Sequence, residues 1–233
     1  MQIGFSTGCL YKTHARLAPT TFDVFRKLGC TAIELMCQSP ELISEIELLT
    51  LDDLRGFEHI SIHLPKCDFG RTNEASRFLS RMESVHEKLG FSVAVLHPNE
   101  ISDWSFLRKT TLPIAIENMD AGKKSCKTVE DMQKVFESID VKMIFDVAHV
   151  FDNDPTMQLG KSLVAAFSER ICEIHVSGYN YRELHDPIHL SRQNEILDII
   201  PSTSLPIIIE SCCLNEDEVK KEFDYISSYL QEK

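Results

Sequence analysis

The 233 residues include 36 acidic and 24 basic side chains, a formal net charge of −12, with 43% hydrophobic and 26% charged residues. That acidity repels polyanions at long range and argues against broad non-specific binding to nucleic acid or to an acidic membrane. No run reaches the roughly 18 apolar residues of a membrane helix, and Met1-Gln-Ile-Gly-Phe-Ser enters a strand-like pattern with no leader signature, so a soluble, cytoplasmic, single-domain protein spanning residues 1–233 is expected.

Short apolar runs recur along the chain, beginning with Ile3 to Ser6. Thr20 is expected to cap a helix ending at Gly29, and a second strand follows at Ala32 to Met36. Strand three, Ile60 to Leu64, leads into a long helical pattern opened near Asn73 and stopped at Gly90. Strand four, Val93 to His97, is followed by a trimmed connection, Ile101 to Thr110, with room for one brief helix. Strand five is Ile114 to Glu117, Thr128 opens the next helix, and strands six, seven and eight fall at Met143 to Asp146, Ile174 to Val176 and Ile207 to Glu210. A last helix fills Asn215 to Leu230. Seven intervals span the 204 residues from Ile3 to Ile207, about 29 residues each, which is the length of one βα unit. Near-continuous apolar strands alternating with helices predict a parallel sheet covered by helices, and eight of them predict a (β/α)8 TIM barrel, with a doubly wound open sheet as the alternative.

Six consecutive strands end in a potential metal ligand: His63, His97, Glu117, Asp146, His175 and Glu210. In a barrel the carboxyl ends of all strands converge on one face, so these residues share a pocket although they are far apart in sequence. A single His or Asp at a strand end is commonly a loop hydrogen-bond partner. Several together, with no Lys or Arg on the same strands, remain mutually repelling or unsatisfied unless a cation joins them, and carboxylates mixed with imidazoles suit a divalent metal. His149, three residues after Asp146, can fold back over the same rim.

The remaining candidates are less determined. Glu34 in strand two either touches substrate or supports the ligands. Glu183 and His185, followed by His189, bring further ligand types into the loop after strand seven, where an ordinary polar loop is the plainer reading. His14 lies with Lys12 and Arg16 in the loop after strand one, which either holds an anionic group or is simply solvated. His59, at the start of its strand, and His86, inside a helix, read as structural. Lys66, Arg71, Lys123, Lys124, Arg182 and Arg192 share the loop face with comparable numbers of acids, leaving substrate charge undecided. The eight cysteines contain no CxxC pair and read as reduced packing residues, including Cys212 and Cys213 beside Glu210.

Glu117-Asn118, Asp146-x-x-His149, His175-x-Ser177 and the closing Glu210 together resemble the xylose isomerase-like superfamily, which contains sugar and sugar-phosphate isomerases and epimerases, related dehydratases, and apurinic endonucleases of the endonuclease IV type. In the ketose epimerase branch the resemblance implies a metal held by Glu117, Asp146, His175 and Glu210. His149 would lie beside the substrate, and the two glutamates would act as an acid/base pair. It implies a small-molecule sugar or sugar phosphate as substrate, and Mn²⁺, Mg²⁺, Co²⁺ or Zn²⁺ as cofactor. In the endonuclease branch a three-zinc site would map onto His63, His97, Glu117, Asp146, His149, His175, Glu183, His185 and Glu210, with Glu183 replacing the usual Asp. The short chain, its acidity and the Ser177-Gly178 continuation after His175 depart from that branch, so an isomerase is the leading expectation and a zinc phosphodiesterase the alternative.

Overall fold

The computed structural model describes residues 1–179 and 185–233. Strands β1 (Ile3–Ser6), β2 (Ala32–Met36), β3 (His59–His63), β4 (Val93–Leu96), β5 (Ile114–Glu117), β6 (Lys142–Asp146), β7 (Ile171–Val176) and β8 (Ile207–Ile209) pair in parallel and in chain order. β8 also pairs with β1, Ile3 lying level with Ile207, so the sheet closes. An open doubly wound sheet has no such bond between its first and last strands, and the barrel reading therefore stands.

Alternate residues of each strand face opposite sides. The outward set, with Phe5, Ile33, Leu35, Ile62, Leu96, Ile116, Phe145, Ile174 and Ile209, packs against the helices in one continuous core. Each such side chain contributes about 1.5–3 kcal/mol on leaving water. The inward set splits: Val93, Val95, Ala115 and Ile144 form a small separate apolar cluster, whereas Glu34, His59, Ser61, Glu173 and His175 are buried polar residues.

Local signals fixed several helix ends. Thr128 Oγ1 accepts from Asp131 N at 3.2 Å to open the helix Val129–Ser138, and Asn215 Oδ1 accepts from Glu218 N at 3.0 Å to open Glu216–Glu232. The helix Asn73–Leu89 stops at Gly90, whose φ of 65° is left-handed, but its cap is Thr72 rather than Asn73. Thr20, expected as a cap, lies inside Pro19–Lys27; the chain enters through Ala18 without a side-chain cap. Pro19 explains the shift, since its fixed φ and missing N–H suit the first turn. The trimmed unit after β4 holds a single 3-10 turn, Pro98–Glu100, and the short helix Trp104–Leu107. No helix among the described residues is long and apolar enough to cross a membrane. The eight cysteines are thiols rather than disulfides, and five of them are buried.

Candidate metal centre

Side-chain alternation brings the strand-end residues together at the carboxyl mouth of the barrel. Glu117, at the end of β5, is almost wholly buried and divides its two oxygens between two neighbourhoods. Oε2 lies 2.8 Å from His97 Nε2 and 3.8 Å from His63 Nε2, while Oε1 lies 3.3 Å from His175 Nδ1 and 3.7 Å from His149 Nδ1. His175 Nδ1 is also 3.5 Å from Glu210 Oε1. Two ligand groups result at the mouth, His63–His97–Glu117 and Glu117–Asp146–His175–Glu210, and a third, Glu34–Glu173–His175, lies in the lumen below, each with its donor atoms within 4.8 Å of one another. Asp146 stands level with His175 across the β6–β7 pairing, and the Glu210 amide extends the ladder by donating to Val176 O at 2.9 Å.

Backbone contacts set the orientation of the ligands. His63 Nδ1 lies 3.0 Å from Leu64 O and His149 Nδ1 lies 2.8 Å from Asn118 O. A carbonyl can only accept, so both rings carry hydrogen on Nδ1 and turn Nε2 elsewhere; for His63 this is toward His97 Nε2, 3.2 Å away. Asn118 clamps β6 at Asp146, its Oδ1 accepting from Asp146 N at 2.9 Å and its Nδ2 donating to Asp146 O at 2.8 Å. Asp146 Oδ1 in turn accepts from His149 N at 2.7 Å and caps the helix Val147–Asn153. The Asp-x-x-His spacing is thus a helix cap that also fixes where His149 sits.

The charges show strong mutual dependence. Burial pushes Asp146 up to about 7 and Glu34 up to about 8. For His63 and His149 burial works against the charge, but surrounding carboxylates overcome it and raise both to about 9. His175 is raised in the same way, by Glu210, Glu34, Glu117 and Glu173. Burial opposes ionisation of Glu117 and Glu210 as well, yet the neighbouring histidines hold Glu117 well below the usual carboxylate range and Glu210 at about 2. Burial lowers His97 and His185.

Beneath the mouth runs a feature the sequence did not announce. His175 Nε2 donates to Glu173 Oε1 at 2.9 Å, and Glu173 Oε2 meets His59 Nε2 at 2.5 Å, all inside the lumen. His175 is thereby held through one nitrogen while the other faces Glu117 and Glu210, the arrangement by which a carboxylate orients a metal-binding imidazole. The signal was present: Glu173 precedes His175 by two residues and so shares its face, and His59 stands two residue pairs below His63. Glu34 joins the same lumen, 3.4 Å from His175 Nε2 at Oε2, though neither of its oxygens has a hydrogen-bond partner.

The other candidates separate cleanly. His185 lines the cavity, 3.1 Å from Ser177 Oγ and 3.8 Å from Glu210 Oε2, outside both ligand groups. Glu183 lies outside the described residues. His189 points away from the mouth to the buried Glu222, at 2.8 Å, whose carboxylate also accepts from the Ile188 and His189 amides. His14 turns to Glu216, 3.4 Å away. Cys212 lines the cavity but belongs to neither group, and Cys213 is buried with its amide bonded to Cys9 O at 2.9 Å.

The residues fit a divalent ion on direct grounds. Glu117 Oε2, 2.8 Å from His97 Nε2, and His175 Nδ1, 3.3 Å from Glu117 Oε1, are buried beside a charged neighbour but make no aligned hydrogen bond among the described residues, and each belongs to a group of the carboxylate-plus-imidazole type. A buried acceptor left unmade costs about 1–3 kcal/mol, which a bound cation relieves by taking up its lone pair; an imidazole nitrogen offers that lone pair once its proton has left. The cavity above has a volume of about 210 Å³.

The fold as a whole matches solved structures over almost its entire length. Endonuclease IV from Thermus thermophilus superposes with a TM-score of 0.71 at 15% identity, covering 100% of both chains. The 3-keto-D-glucoside 4-epimerase of E. coli gives 0.67 at 12% identity over 98% of this chain and 99% of its own. A xylose isomerase domain containing protein from Salmonella typhimurium gives 0.62 at 15% identity over 99% and 97%. The chain shares the (β/α)8 barrel fold of these structures. It matches no protein-family model, and no curated protein matches it by sequence. At such identities the likeness is one of backbone, and chemistry has to be argued from the side chains.

Proposed function

We propose that this protein is a divalent-metal-dependent isomerase or epimerase of a ketose or ketose phosphate. The observation that carries the reading is the group Glu117–Asp146–His175–Glu210: two carboxylates suited to proton transfer converge on one imidazole nitrogen, at 3.3 and 3.5 Å from His175 Nδ1. The imidazoles favour Mn²⁺, Co²⁺ or Zn²⁺ over Mg²⁺. A bound ion supplies the Lewis acidity that stabilises negative charge growing on the substrate carbonyl oxygen. Glu210, ionised and the less buried of the two glutamates, takes the proton from the carbon beside the carbonyl; Glu117, ionised at rest, returns one to the other carbon or face after receiving it from the protonated His63 beside it, and the proton on Glu210 passes to solvent as the histidine is recharged. His149 keeps Nδ1–H on Asn118 O and leaves Nε2 for a substrate oxygen. The small cavity and acidic chain support a compact substrate over a duplex.

The reading is tested by incubating the Mn²⁺-loaded protein with ketoses and ketose phosphates in D₂O. Deuterium should appear on the carbon next to the carbonyl, and Glu210→Gln should abolish the exchange.

A second reading draws support from the His63–His97–Glu117 group. With Oε2 toward His97 and Oε1 toward His175, Glu117 could serve both ligand groups if each held an ion, which would supply the multinuclear charge stabilisation that a metal-assisted phosphodiesterase of the endonuclease IV type requires. Two or more ions per chain by elemental analysis, no deuterium uptake from any ketose, and cleavage of an abasic-site duplex that fails in His63→Ala or His97→Ala would install this reading in place of the first.

A further inference from the structure

We propose that the substrate carries a phosphate ester, held at the cavity rim by Arg16 and Lys66. The assignment of the sugar portion rests on the isomerase reading; the anion subsite itself does not. The loop after β1 brings three basic side chains, Lys12, His14 and Arg16, near the mouth, and their surroundings separate them. His14 is engaged by Glu216, and Lys12 lies over the outer Tyr11 ring at 5.4 Å. Arg16, with its guanidinium carbon 5.3 Å from the same ring, is the member of the three that lines the cavity, and its Nε is buried with no hydrogen-bond partner. A desolvated guanidinium edge is unfavourable until an anion reaches it.

Lys66 stands two strands further round the barrel, three residues after His63 at the end of β3, and lines the same cavity as Arg16. It lines both the main cavity and an adjoining one of about 90 Å³ that shares His97, His149 and His185. Lys66 forms no ion pair among the described residues, although acids outnumber bases 36 to 24 in this chain. Lys123, the other cation of the adjoining cavity, is by contrast paired with Asp120 at 3.5 Å.

The cavity therefore has two unlike ends. Its floor presents Glu117, Glu210 and the histidines, which suit a metal and neutral or carbonyl oxygens. Its rim presents two cations, Arg16 and Lys66, without carboxylate partners among the described residues, which suit an anion. At about 210 Å³ the cavity is compact enough for one small molecule to touch both ends. A guanidinium fork matches the oxygens of a phosphate, and an ammonium adds a mobile point charge. A neutral ketose would leave both cations unanswered.

The test compares deuterium exchange by the metal-loaded protein on a neutral ketose, the matching ketose phosphate and a keto-acid of the same chain length. The phosphate ester should be preferred over the neutral ketose by at least about 100-fold in kcat/KM, the scale set by a charge-assisted hydrogen bond that only the ester can make. Arg16→Gln/Lys66→Gln should collapse that preference, with metal content unchanged by elemental analysis, and Arg16→Lys should restore part of it. Equal use of the neutral ketose would overturn the phosphate subsite while leaving the isomerase standing, and preference for the keto-acid would overturn it in favour of a carboxylate. If no ketose exchanges, the isomerase reading falls and the subsite is judged by calorimetric titration with inorganic phosphate. Binding weakened at least about tenfold in the double variant then supports it, and equal binding in variant and parent overturns it.

Discussion

The two halves of the barrel lumen solve the same packing problem in different ways. On the side of β4, β5 and β6, Val93, Val95, Ala115 and Ile144 fill the space with apolar contacts that ask only for volume. On the side of β2, β3 and β7, Glu34, His59, Ser61, Glu173 and His175 fill it with polar groups that each need a partner. The apolar half is fully served by its neighbours. The polar half is served for His59 and Glu173 but leaves Glu34, Ser61 Oγ and His175 Nδ1 without hydrogen bonds. The contrast teaches that the lumen is not uniformly optimised for stability, and that its unmet atoms gather beneath the mouth where an ion and substrate would enter.

The largest effect should come from breaking the polar half. Glu173→Leu strips the acceptor from both His59 Nε2 and His175 Nε2, two buried groups at about 1–3 kcal/mol each, so denaturant unfolding should show a loss of about 2–6 kcal/mol. Adding His59→Leu should recover part of that loss by removing one orphan. No recovery would mean that the pairing is incidental.

Chelation acts on the unmet atoms directly. An ion that binds only the folded chain adds about 2.7 kcal/mol at 100 times its dissociation constant. For a chain of this size that corresponds to a rise in Tm of roughly 5–11 °C. A Tm unmoved by chelator and by added Mn²⁺ or Zn²⁺ would remove the metal from the mouth.

Glu173→Gln isolates orientation from charge. The Gln side chain can still fill the site, but its hold on the His175 Nε2–H is weaker, and metal affinity measured by competition with a chelating dye should drop about 10–100-fold. Unchanged affinity would reduce Glu173 to a packing residue.

Metal affinity should also depend on pH with a definite sign. His63, raised to about 9, and His175, raised likewise, hold protons at neutral pH that an incoming ion must expel. Affinity should therefore rise with pH, by up to about tenfold per pH unit for each proton expelled, and level off for His63 above about 9. A flat profile between pH 6 and 8 would show that neither proton is displaced.

The smallest effect belongs to the apolar half. Ile144→Val removes one methylene-sized volume and should cost about 0.5–1.5 kcal/mol with metal content untouched. A lost ion in that variant would show that the two halves are coupled rather than separate.

Much of this was legible in the sequence because it depends on local rules. The spacing of the apolar runs determined the eight strands, Gly90 and Thr128 marked helix ends, and the ligand types at His63, His97, Glu117, Asp146, His175 and Glu210 located the mouth. These follow from strand alternation and from the convergence of strand ends, which hold wherever such a barrel forms. Only the closed structure decided the rest. It divided Glu117 between two groups, joined His59 to Glu173 across 114 positions of sequence, sent His14 to Glu216 and His189 to Glu222, and left Arg16 with a buried, unpartnered edge at the cavity. Each of these depends on which distant side chain meets a given one across the lumen or along the rim. A strand's own pattern states which face a residue takes, and it does not state what waits on the other side.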